Sequence, residues 1–107
     1  MITLRELKEL CGNFFTDMIK GVVDVENRLL ALDAELHADL EAFLLQNGSV
    51  QKNLWGINLY PDLSGDDFLE FDSMINIRPG QNNRSRGVED KTIRETIKNI
   101  VMSKINA

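Results

Sequence analysis

The sequence predicts an α+β fold: an antiparallel four-stranded sheet with N- and C-terminal helices, in the order α-ββ-α-ββ-α. Three observations predict it. Apolar residues recur at helical steps of three and four at both ends of the chain. Between them lie segments of strand length, rich in Val, Ile, Leu and aromatic residues. Asn47-Gly48, Ser64-Gly65 and the prolines Pro61 and Pro79 fall where these segments end. Strands and helices grouped in this way place the helices on one face of the sheet. At 107 residues the whole chain, 1–107, is read as one domain.

The first helix opens on a capping box, Thr3 with Glu6 three residues on. Leu4, Leu7, Cys11, Phe14 and Met18 form its apolar stripe, interrupted only by Gly12. The Cys11 thiol in that stripe reads as a small buried hydrophobe. Val22–Glu26 and Leu29–Leu32 then read as a hairpin turning at Asn27-Arg28. His37–Gln46 reads as a helix, with Leu36, Leu40, Phe43 and Leu44 on one face and Asn47-Gly48 as its stop. An extended Phe43–Leu45 segment is the alternative. Leu54–Tyr60 is a strand that turns Trp55, Ile57 and Leu59 to one face. Phe68–Ile77 is its long antiparallel partner. It sets Glu70, Asp72, Asn76 and Arg78 as a polar row, with Asn58 opposite. Asp90 caps a last helix striped by Ile93, Ile97, Ile100, Val101 and Ile105.

Composition excludes several function classes. One Cys and one His leave no disulfide framework and no multi-His or multi-Cys metal site. No cofactor motif is present. A net charge of −5 argues against a nucleic-acid partner. No apolar run reaches the roughly 18 residues of a membrane span, and the first residues lack a signal-peptide core. The expectation is a cytoplasmic protein without a membrane partner. Charge is also segregated. Residues 17–72 hold twelve acids against three bases, a net of −9; residues 78–104 hold seven bases against three acids, a net of +4. The two regions complement each other within one fold or between two copies, so a homodimer stays open.

The stretches 54–61 (WGINLYP after Leu54), 72–79 (DSMINIRP) and 83–90 (NRSRGVED) resemble a family of small uncharacterised prokaryotic proteins, known only as a domain of unknown function. So do residues 35–41 and 46–49. The resemblance spans about residues 20–105. It implies no activity, cofactor or site, so the functional reading rests on the residues themselves.

The loop 78–87 carries three Arg and three side-chain amides beside a helix start. Guanidinium forks suit carboxylate or phosphate. Arg78, Asn82, Asn83, Arg84 and Arg86, with Asn58, Asp72 and Asn76 on the strand face, are therefore the candidate ligand-binding residues. The alternative is that the Arg residues pair with Glu70, Asp72 and Asp39, and that the polar row is merely the wet face of a sheet. His37, with Asp39 or Glu41 as its carboxylate partner, is the candidate acid–base centre. The leading expectation is a small binding module for an anionic small molecule or an acidic protein partner. A hydrolase-like enzyme using His37 as general base and Arg84 or Arg86 for substrate charge is the second. An obligate homodimeric interaction protein is the third.

Overall fold

The computed structural model describes residues 1–106. Its sheet is four-stranded and antiparallel throughout: β2 (Ile19–Asp24), β3 (Leu29–Leu32), β4 (Leu54–Leu59) and β5 (Leu69–Glu70), in the spatial order β3-β2-β4-β5. The helices are α1 (Leu4–Leu10), α2 (His37–Gln46) and α3 (Lys91–Lys104). A separate two-stranded pair ties the chain ends together: β1 (Ile2–Thr3) runs parallel to β6 (Ile105–Asn106), with Ile2 opposite Ile105.

Side-chain alternation explains the layers. On β2 and β4, Ile19, Val23, Trp55, Ile57 and Leu59 turn to one face. There they meet Leu7 of α1, Cys11 at its C-cap, and Ile97, Ile100 and Val101 of α3. On the opposite face Val22 and Leu54 meet Leu40 and Leu44 of α2. The helices therefore cover both faces, not one as expected. The cause is visible in the sequence: β2 and β4 are apolar at nearly every position, and all six residues of β4 are buried. Such strands cannot leave a face in water.

Two boundaries differ from expectation, each for a local reason, and a third holds. The capping box forms as anticipated, Thr3 Oγ1 accepting from Glu6 N at 3.1 Å and Glu6 Oε1 accepting from Thr3 N at 3.0 Å. However, α1 stops at Leu10, just before Gly12, and the expected stripe residue Phe14 is half exposed. The hairpin turns over four residues, 25–28, instead of two. Asp24 accepts from the backbone N–H groups of Glu26 and Asn27, and Arg28 takes a left-handed φ of 56°. The helix over His37–Gln46 forms with the expected bounds, which removes the extended alternative for 43–45. Ser49 N donates to Leu44 O and Gly48 N to Leu45 O, and Gly48 adopts φ +100°. This is a Schellman stop that needs glycine.

The largest difference is the long strand expected over Phe68–Ile77. Only Leu69–Glu70 pairs with β4, through Leu59 and Asn58. The chain then leaves the ladder and winds into 3₁₀ turns at Met74–Asn76 and Pro79–Gln81. Beyond Glu70 the strand's place beside β4 is taken by a side chain. Asn76 is fully buried. Its Oδ1 accepts from Gly56 N at 2.8 Å, and its Nδ2 donates to Gly56 O at 3.0 Å. One amide thus supplies both hydrogen bonds that a neighbouring strand would have supplied. Gly56 has to be glycine here: a Cβ on it would lie 2.5 Å from Ser73 Cβ.

Candidate functional site

The segment 72–90 is organised by two asparagines. Asn76 Nδ2 also donates to Arg86 O at 2.9 Å, and Ser73 N donates to the same carbonyl. Asn83 is buried as well. Its Nδ2 donates to the carbonyls of Asn76 and Gly87, both at 2.7 Å, and its Oδ1 accepts from Glu89 N at 2.8 Å. The backbones of Arg78 and Asn83 close a β-bridge around Asn82, whose φ is +61°. A polar loop without regular structure must satisfy its buried backbone groups somehow. Here two side-chain amides do so, and the loop is held in one shape.

That shape creates a cleft of about 170 Å³ on the α2 face of the sheet. The start of α2 forms one wall and Ser73, Met74 and Ile75 the other; Lys20 and Arg86 bring positive charge. His37 is buried and lies at the cleft, with its Nε2 2.8 Å from Ile57 O. A carbonyl only accepts, so Nε2 carries the proton and Nδ1 is left as the acceptor. Burial pushes the His37 pKa below its ordinary value and Lys20 adds to this, against the opposing pull of Ile57 O, Asn58 and Asp72. The ring is therefore neutral at pH 7. Leu36, the N-cap of α2, offers no side-chain acceptor, so the positive end of the helix meets the cleft uncapped. Lys20 Nζ lies 5.4 Å from the Phe15 ring centre and forms no ion pair among the described residues.

Arg86 is held by Asp72, Nε to Oδ1 at 2.7 Å. Asn58 Nδ2 donates to Glu70 Oε1 at 2.8 Å and to Asp72 O at 3.3 Å, while its buried Oδ1 has no partner. Of the sequence candidates, His37 and Arg86 therefore share one cleft, with Asp72 and Asn58 behind it. Ser73 and Lys20 belong to it and were not anticipated. Lys20 carried a signal, a lone cation inside an apolar strand. Ser73 carried none.

The other candidates lie elsewhere. Asp39 and Glu41 make no hydrogen bond to His37; Asp39 is exposed, and Glu41 is half-buried with Oε2 unpartnered. Arg84 is exposed, and its side chain forms no bond among the described residues. Asn82 is likewise exposed. Asn76 and Asn83 spend their amides on backbone. Arg78 does not extend a polar strand face. Its guanidinium stacks 4.1 Å from the Trp55 ring centre, donates to Gln51 O at 2.6 Å and also donates to Leu54 O. It staples the loop to the start of β4.

The acidic half of the chain holds one further built feature. Asp24 is fully buried and accepts from Ser49 Oγ at 2.6 Å and from Asn27. Burial raises its pKa, but the bonds from Ser49 and Asn27 outweigh that and leave it lowered. It anchors the hairpin turn to the end of α2.

Comparison with known proteins returns one family. The family model DUF5674, described as protein of unknown function, matches residues 1–104. No curated protein and no solved structure matches the chain.

Proposed function

The chain belongs to the DUF5674 family, and we propose from its cleft that it is a small binding module for an anionic group, carried by a small molecule or by an acidic side chain of a protein partner. One observation carries this reading. Lys20, Arg86, His37 and the uncapped start of α2 converge on a single cleft. A free ammonium, a guanidinium with donors to spare beyond Asp72 and an open helix terminus are the donors an anion needs. The exposed apolar side chains Leu36 and Met74 at its rim give a ligand or partner something to cover. Arg86 takes the recognition role that the sequence divided between Arg84 and Arg86; Arg84 lies outside the cleft.

The test is a titration with inorganic phosphate. His37 is the only histidine, so its ring resonances report one site. Phosphate should shift them and raise the His37 pKa, because an anion favours the imidazolium. Lys20→Gln and Arg86→Ala should each weaken binding about tenfold, or 1.4 kcal/mol. Arg84→Ala should not change it. Equal losses from Arg84 and Arg86, or a silent His37, would remove the cleft from consideration.

A catalytic use of the same cleft is the second reading. The observation favouring it is that His37 is neutral, anchored through Nε2 and left with a free acceptor, the arrangement a general base needs. In that case His37 would take a proton from water attacking an anionic ester, with Arg86 holding the substrate charge. Hydrolysis of a phosphate ester that is lost in His37→Gln and kept in Arg84→Ala would favour it.

A further inference from the structure

We propose that the outer edge of β3 joins two copies of this chain, β3 pairing antiparallel with β3 of the second copy about a two-fold axis at Ala31. The two four-stranded sheets then run on as one.

The sheet treats its two edges differently. At the β5 edge only Leu69–Glu70 pairs, and beyond it Asn76 and Arg78 occupy the Gly56 and Leu54 groups of β4. The β3 edge has no such cover. Asp33 N donates to Lys20 O at 3.0 Å, in register with Ala31 opposite Val22 and Leu29 opposite Asp24. Antiparallel strands alternate bonded and non-bonded pairs. Leu29, Ala31 and Asp33 therefore turn their backbone groups to β2, and Leu30 and Leu32 turn theirs outward. No loop or turn backbone among the described residues bonds these four groups. Edge strands are normally blunted by a charge, a proline or a bulge. Leu29-Leu30-Ala31-Leu32 has none of these, and Leu29 is 41% exposed.

This edge is complementary to itself. Pairing Leu30 with Leu32 of the second copy, twice, satisfies all the outward groups on both copies. The same register sets Ala31 opposite Ala31 of the second copy, a non-bonded pair where two chains come closest and small side chains fit. On the α3 face leucine then meets leucine. Leu30 and Leu32 already pack against that core, and with Met1, Ile2 and Lys104 they line a cavity of about 240 Å³. The ends match in charge as well. The charges nearest to β3 in the chain are Arg28 before it and Asp33 after it, and Arg28 is exposed without an ion pair among the described residues. Antiparallel pairing brings each Arg28 to the end that carries Asp33 of the second copy; a parallel partner would set like charges together. Both residues have left-handed φ, 56° and 75°, which ends the ladder at either side. A ladder this short buries less than a permanent dimer does, so the pair forms and separates with concentration.

The test uses the full chain. Sedimentation equilibrium over about a hundredfold range of concentration should follow a monomer–dimer equilibrium. Arg28→Asp should weaken the dimer about tenfold, because it sets like charges at both ends of the ladder. Asp also suits a positive φ better than Arg, so the variant should fold. Cross-linking reads the register. Under mild oxidation Ala31→Cys should form a disulfide-linked dimer, its two sulfurs within reach across the axis. Leu29→Cys, at the more exposed position, should not, since its counterpart lies several residues along the ladder. A chain that stays monomeric across the range, a dimer indifferent to Arg28→Asp, or cross-linking of Leu29→Cys as fast as that of Ala31→Cys would each overturn the proposal.

Discussion

Replacing Asn76 by Ala should be among the most damaging single changes in this protein. The substitution removes no charge and little apolar surface. What it removes is the partner of two buried backbone groups, Gly56 N–H and Gly56 C=O, and of the part-buried Arg86 C=O, bonded at 2.8, 3.0 and 2.9 Å. A buried polar group left without its partner costs about 1–3 kcal/mol. Water entering the gap and the second donor to Arg86 O, Ser73 N, reduce the sum. A loss of about 4 kcal/mol is expected, which approaches the whole stability of a marginal small domain, about 5–15 kcal/mol. Asn76→Asp should be no milder at pH 7, since it keeps the acceptor for Gly56 N–H but turns a carboxylate toward two carbonyl oxygens. Asn82→Gly is the control. Asn82 stands at φ +61° with its side chain in water, and glycine is at ease there, so its loss should stay within about 0.5 kcal/mol. Urea melts measure all three, and hydrogen exchange at Gly56 N–H should accelerate only in the Asn76 variants. A loss below about 1.5 kcal/mol for Asn76→Ala would refute the claim that its amide stands in for a strand.

Other outcomes follow from the same contacts. Gly56→Ala would push a Cβ to 2.5 Å from Ser73 Cβ and should cost about 3 kcal/mol by overpacking, partly restored by Ser73→Gly in the same urea melts. Arg86→Ala should cost under about 1 kcal/mol, because its pairing with Asp72 is solvent-exposed, while Arg84→Ala should leave the melt unchanged. The His37 pKa is lowered on folding, so below about pH 6.5 the unfolded chain binds a proton that the folded one refuses. Stability should therefore fall as pH drops from there to the folded-state pKa and level off beneath it; His37→Gln should lack this slope in denaturation midpoints measured across that range. Burial, then Asp62, Asp17 and Asp33, raise the Cys11 pKa, so the native protein should react far more slowly with a thiol reagent than the unfolded one.

Periodicity revealed the elements whose stability comes from a face. The stripe of α3, the bounds of α2 with its Asn47-Gly48 stop and the apolar runs of β2 and β4 are each written in residue type and spacing. Where a residue's role is to bond the backbone, the same reading misled. Phe68–Ile77 alternates as a strand does, yet the ladder ends at Glu70, because Asn76 folds back onto Gly56. Alternation records which residues suit a half-buried surface, not whether neighbouring N–H and C=O groups find their partners in another strand or in an amide. The candidate site divided along the same line. Arg86 and His37 reached the cleft as charged and titratable residues were expected to do. Asn76, Asn83 and Arg78 carried the same polar signal but are turned inward, onto carbonyls.

This inward turn is also what makes the cleft a defined shape. Arg86 lines the cleft beside Lys20 and His37 while its own carbonyl is held twice, by Asn76 Nδ2 and Ser73 N, and its guanidinium is aimed by Asp72. The charged head stays at the surface, where a ligand can take it over without unfolding anything. The buried asparagines supply the rigidity, and in the proposed anion-binding role the exposed arginine would supply the affinity. Losses of stability and losses of recognition should therefore separate between residues only a few positions apart in the chain: Asn76 and Asn83 on one side, Arg86 on the other. A ligand that tightens on Arg86 would pull on Asp72, and through the Asp72 carbonyl on Asn58 and its pairing with Glu70. Binding in the cleft should thus be felt first along the β5 edge of the sheet, before the α1–α3 core.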